Sequence, residues 1–130
     1  MTLPLTILAW GCVLGLVHVF AAATIKTAQY GLKWNMGARD ETLPPPSPLV
    51  GRLTRAQANF FETFPVMATA VLIVHAAGLE SSWTNWGAVI WLVARILFLP
   101  IYAMGIPGVR SAVFLVSFAG LLMVLVPALL

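Results

Sequence analysis

Arg52-Leu53-Thr54-Arg55-Ala56-Gln57-Ala58-Asn59-Phe60-Phe61-Glu62-Thr63-Phe64-Pro65 carries two arginines, an asparagine and a glutamate into a long apolar run. On a helix at about 100° per residue, Arg55, Asn59 and Glu62 fall within a stripe roughly 60° wide, because positions i, i+4 and i+7 share a face. A polar stripe entering a hydrophobic segment requires a partner or a ligand.

The rest of the chain makes that requirement acute. Of its 130 residues 61% are apolar and 8% charged, against about 45–50% and 25% in a soluble domain. Mean hydropathy is +0.97. The length fits one domain, and the composition predicts an integral membrane protein. The isoelectric point near 9.6 does not point to nucleic acid. Seven Lys and Arg without a basic run make a poor electrostatic footprint for it, and juxtamembrane positive charge accounts for them better. Cys12 is the single cysteine, so no disulfide forms within the chain, and its apolar setting predicts a buried, inert thiol.

Four apolar segments are long enough to cross about 30 Å of hydrocarbon: residues 3–26, 54–78, 86–104 and 109–129. The first is too long for a signal-peptide core, and its charges, Lys26 and Lys33, follow the apolar run instead of preceding it. It reads as an uncleaved transmembrane helix. Residues 31–51 hold Arg39, Asp40, Glu41 and the Pro44-Pro45-Pro46-Ser47-Pro48 run, which predicts an ordered loop outside the membrane. Thr54 is a candidate cap for the second helix, Pro65 and Pro100 are expected kink sites, and Trp83, Trp86 and Trp91 suggest an interfacial aromatic belt. Lys26, Lys33, Arg39, Arg52, Arg55 and Arg110 gather beside the first and third loops, whereas the second loop carries only Glu80. The Lys/Arg bias therefore places those two loops in the cytoplasm and both termini on the opposite side. The fold expected is an all-α, four-helix transmembrane bundle.

Two ionisable residues fall inside the bilayer. Glu62 and Arg95 each lie about 14–15 Å from the cytoplasmic ends of their helices at 1.5 Å per residue. An unpaired charge there costs at least about 2.5–3.5 kcal/mol, so a Glu62–Arg95 pair is expected. Tyr102 follows Arg95 by two turns on the same face, and Arg110 and Ser111 open the fourth helix at the same mouth. A pair alone would serve as a helix lock. Three guanidiniums, Arg55, Arg95 and Arg110, against one intramembrane carboxylate, with Asn59 and Tyr102 beside them, favour an anionic ligand bearing carboxylates, which guanidinium binds in bidentate fashion. A small four-helix cation exporter needs the reverse balance and an acidic residue in its first helix, where this chain has none. His18 lacks metal-ligand neighbours and reads as a packed histidine; no metal site, phosphate loop or nucleotide fingerprint is visible.

Arg55-Ala56-Gln57-x-Asn59-x-x-Glu62-x-x-Pro65 resembles the second-helix signature of the membrane-associated proteins in eicosanoid and glutathione metabolism, the MAPEG family. Arg95, Tyr102 and Arg110-Ser111 are similar to that family's third- and fourth-helix pattern. The resemblance implies a homotrimer with glutathione as co-substrate, bound between subunits at the cytoplasmic side. Arg55, Asn59, Glu62, Arg95 and Tyr102 would hold the tripeptide, Glu62 taking its α-ammonium and the arginines its carboxylates. Lys26 is the first-helix candidate. Arg110 would stabilise the thiolate, with Ser111 as a second polarising group, and a lipophilic substrate would enter from the bilayer. The activity implied is that of a glutathione transferase or peroxidase acting on small lipophilic electrophiles. The alternative is a non-catalytic protein of the same fold that binds another anionic ligand or a partner protein.

Overall fold

The computed structural model describes residues 1–130, folded as five helices and no strands. α1 (Leu3–Tyr30), α3 (Pro48–Ala76), α4 (Ser82–Ala103) and α5 (Val109–Leu129) are each long and apolar enough to cross a membrane. The short α2 (Leu32–Met36) lies between the first two. At 1.5 Å per residue even α5, with 21 residues, spans about 32 Å. Large apolar side chains such as Trp10, Phe20, Leu72 and Leu115 face outward, as a bilayer requires. The protein is an integral multi-pass membrane protein built as an all-α four-helix bundle.

Local chemistry sets the helix ends. α1 runs four residues past the expected position 26 and stops at Gly31, whose φ of 96° is a left-handed geometry that glycine accepts without a Cβ clash. α3 starts at Pro48 and not near Thr54. Ser47 accepts a hydrogen bond from the Val50 N–H and so caps the helix, and a proline at the first turn has no N–H to leave unsatisfied. Thr54 instead bonds back to the Val50 carbonyl. The proline run is pinned to α1: Tyr30 donates to the Pro44 carbonyl, Gln29 donates to Pro45, and the Ser47 N–H donates to the Gln29 side chain. α4 opens at Ser82 with a reciprocal Ser81–Thr84 capping box. Pro65 and Pro100 sit within unbroken helices.

α4 and α5 pack most extensively, and glycines make this possible. A Cβ on Gly120 would lie 2.6 Å from both the Gly87 carbonyl oxygen and the Trp91 nitrogen, backbone atoms that cannot step aside. Small residues let membrane helices approach so closely. Gly120→Ala is therefore expected to destabilise the bundle by about 1–3 kcal/mol, the usual range for overpacking. A melting temperature in detergent equal to that of the wild type would refute this packing account.

The core joins α1, α3 and α4 around an aromatic stack. Phe64 stacks on Phe60 and Trp91 at centroid distances of 5.0 and 5.8 Å. Trp91 is thus a core residue and not an interfacial anchor, whereas Trp83 and Trp86 are exposed as a belt requires. Cys12 also departs from expectation. It faces outward on α1, because Gly11 and Leu14 occupy the buried side.

Candidate functional site

One end of the bundle gathers the cations. Where α3 begins, α4 ends and α5 begins, Arg52, Arg55, Tyr102 and Arg110 line an open cavity of about 350 Å³ with no acidic residue in its walls. Tyr102 is its hinge. The Arg55 Nε donates to the Tyr102 hydroxyl oxygen at 3.2 Å, and the Arg110 guanidinium lies over the Tyr102 ring with its Cζ 4.9 Å from the centroid. With its oxygen accepting from Arg55, the phenol retains an O–H to donate to an anion in the cavity. Arg52 is anchored by donating to the Ala103 carbonyl at 2.9 Å. Read in the sequence as a charge that sets orientation, it is in fact a wall of this cavity.

The Arg52 side chain packs across Gly105, where φ is +69° and a Cβ would meet its guanidinium at 3.2 Å. The α4–α5 turn is thereby shaped to hold Arg52. Such a cluster of like charges is stable where an anion or water is present and costly otherwise. Its chemistry would suit a carboxylate, because guanidinium donors match a carboxylate in pairs.

Lys26 does not join this group. It lines a second, 220 Å³ cavity with Gln57, Asn35, Arg39 and Trp34. Gln57 and Arg55 are two positions apart, so they point about 200° from each other around α3. Within one chain the body of α3 separates Lys26 from Arg55. The second cavity owes its wall to α2 and the residues after it. The Asn35 carboxamide donates to the Thr27 hydroxyl at 2.6 Å, and Arg39 donates to Asn35 while covering the Trp34 ring.

The expected Glu62–Arg95 pair does not form. Arg95 is entirely buried, and its Nη1 donates to Asn59 Oδ1 at 2.7 Å. Glu62 has no ion-pair partner in the chain, where His75–Glu80 at the far end is the only salt bridge, and its side chain is exposed. The azimuth on α3 explains both facts. Asn59 lies about 40° to one side of Arg55 and Glu62 about 20° to the other, so the stripe turns Asn59 toward α4 and Glu62 toward the outside. An unpaired carboxylate on the flank of a transmembrane helix calls for a donor from beyond this chain.

A family model described as the MAPEG family matches residues 7–130. The chain belongs to the MAPEG family. No curated protein matches it individually. Glutathione and eicosanoid metabolism are the setting of the family, and the arginine-lined cavity of this MAPEG protein lies on the same helices as the sequence pattern that points to it. Ser111 follows Arg110 in the first turn of α5 and is exposed, but it is not among the cavity's lining residues. Nowhere in the structure do three His, Cys, Asp or Glu side chains gather closely enough to hold a metal ion.

Arg52 and Gln57 line the two cavities although the sequence alone assigns neither a ligand role. For Arg52 the available signal was its i, i+3 spacing to Arg55, which places both on one face. Gln57 stands in the second-helix pattern itself, and the structure adds that it faces the Lys26 cavity, whose wall α2 completes.

Proposed function

We propose that this MAPEG protein is a membrane-bound, glutathione-dependent transferase or peroxidase that uses small lipophilic electrophiles as second substrates. The observation that carries the reading is the convergence of Arg52, Arg55 and Arg110 on Tyr102 in a cavity free of acidic side chains. Glutathione carries two carboxylates, an ammonium and a thiol. Arg52 and Arg55 suit the carboxylates, and Glu62 suits the ammonium. Arg110 suits the sulfur, because a neighbouring cation stabilises the thiolate and the thiolate is the nucleophile. Asn59 adds N–H donors to the tripeptide backbone. In the transferase reaction the sulfur bonds to an electrophilic carbon as the leaving group departs with its electron pair. The second substrate comes from the bilayer along the apolar outer surface.

The working unit in this reading is a homotrimer with the ligand between subunits. Two features support it: Glu62 lacks a cation within its own chain, and α3 separates Lys26 from Arg55. A neighbouring copy would bring the Lys26 wall of one subunit against the Arg55 wall of the next. The Lys/Arg-rich end, with loops one and three, faces the cytoplasm, where the reduced thiol is available, and both termini lie opposite.

Calorimetric titration of detergent-solubilised protein with glutathione, followed by conjugation of a chloronitroaromatic, tests the proposal. Saturable binding and turnover are the expected results. Absence of binding to folded protein would refute it, and binding without turnover would favour the non-catalytic reading.

A further inference from the structure

Arg95 and His18 are polar side chains sealed inside the bundle, 0% and 1% exposed. Neither lines the arginine cavity. Arg95 makes a single hydrogen bond, from Nη1 to Asn59 Oδ1, while its Nε and Nη2 and both His18 ring nitrogens have no partner in the chain. The two side chains pack against the same phenyl ring. His18 stacks on Phe60 at 4.8 Å between centroids, and the Arg95 Cζ lies 5.3 Å from the Phe60 centroid and 4.4 Å from that of Phe98. A guanidinium has only donors, and a neutral imidazole keeps one acceptor nitrogen. The buried donors of Arg95 and the buried acceptor of His18 therefore complement each other around Phe60, with a bridging water as the link between them.

Arg95 also decides the orientation of Asn59. A donor that offers N–H groups alone takes the carboxamide oxygen, so the Asn59 N–H groups are left for whatever binds beside α3. Resting on the glutathione reading above, we propose that Arg95 and His18 are positioning residues that act through Asn59, committing its carboxamide to donate to a carbonyl or carboxylate oxygen of the ligand and not to accept from its ammonium. His18 and the aromatic faces hold the guanidinium, the guanidinium holds Oδ1, and the amide is turned before the ligand arrives. Glu62, on the other edge of the stripe, is left as the acceptor for the ammonium. The two edges of one stripe thus sort the two ends of a zwitterionic ligand.

Variants of Arg95 risk the fold, so His18 carries the test. His18→Leu keeps the volume and removes the acceptor, and His18→Gln keeps an acceptor. Glutathione affinity measured calorimetrically is expected to fall about tenfold in His18→Leu and to stay within about threefold in His18→Gln, a margin that a mere packing role would not produce. Added to Asn59→Ala, His18→Leu is expected to change affinity less than about twofold, since the coupling runs through Asn59. Fully additive losses would overturn the proposal. The second readout needs no ligand. The chain has three asparagines, so selective 15N-Asn labelling yields three carboxamide signals, and that of Asn59 is expected to move in His18→Leu and return toward its wild-type position in His18→Gln. An unmoved Asn59 signal would overturn the proposal. If wild-type protein binds no glutathione, the functional reading falls by itself and the Asn59 resonance still decides whether Arg95 and His18 hold the amide.

Discussion

Replacing Arg110 with alanine is expected to slow conjugation by about 10²-fold or more while glutathione affinity stays within about threefold. The first number follows from thiol ionisation and transition-state charge. A free thiol with a pKa near 8.5 is only about 3% thiolate at pH 7, and a neighbouring cation that lowers it by two units makes the thiolate the major form. Removing a group aimed at developing charge commonly costs about 10²–10³ in rate. The second number follows from position. Arg110 is exposed at the start of α5 and holds its place by lying over the Tyr102 ring, whereas Arg52 and Arg55 are fixed by hydrogen bonds on the opposite wall. Two arginines therefore remain for the carboxylates. The ultraviolet absorbance of bound thiolate, followed against pH, is expected to titrate at higher pH in the variant, and Arg110→Lys is expected to recover part of the shift. A variant that loses affinity yet turns over normally at saturation would reassign Arg110 from the sulfur to a carboxylate.

The reach of sequence reading here follows from what counting residues can measure. Depth along the membrane normal is countable, and four spans emerge from hydropathy, with α5 at Val109–Leu129. The same counting sets Arg55, Tyr102 and Arg110 at one mouth. Rotation about a helix axis is not countable from one segment. Glu62 and Arg95 have matching depths, yet Asn59 and Glu62 stand about 60° apart in azimuth on α3, which gives Arg95 to Asn59 and leaves Glu62 outside. The start of α3 was obscured for a different reason. A proline run reads as a break, but its last proline lies at a helix N-terminus, where a missing N–H carries no penalty. The resemblance groups Lys26 with Arg55 as its first-helix candidate, yet within one chain the two line different cavities with α3 between them. The family pattern marks residues that meet at one level of the bilayer, but it does not say from which chain each one comes.

That question is sharpest at Glu62, where a ligand anchor and a subunit lock make different predictions. As a ligand anchor, its carboxylate accepts from the glutathione ammonium. A hydrogen bond between charged groups contributes about 1.5–3 kcal/mol, so Glu62→Gln is expected to weaken glutathione binding by about 10- to 150-fold. As a lock, the same carboxylate would pair with a cation of the neighbouring subunit, and glutamine would break the assembly first. Geometry favours the anchor. Glu62 shares its edge of α3 with Arg55, which already faces the arginine cavity, and both Asn59 and Glu62 lie within a third of a turn of it. One extended tripeptide could therefore reach all three, whereas a lock would leave Arg52, Arg55 and Arg110 as three cations with no anion between them. Native mass spectrometry of wild type and Glu62→Gln, with and without glutathione, reads both outcomes at once. The trimer population is expected to be unchanged and its glutathione adducts largely lost. A variant that dissociates to monomers, with the residual trimer still carrying glutathione, would make Glu62 a contact between subunits and leave the ammonium to another acceptor.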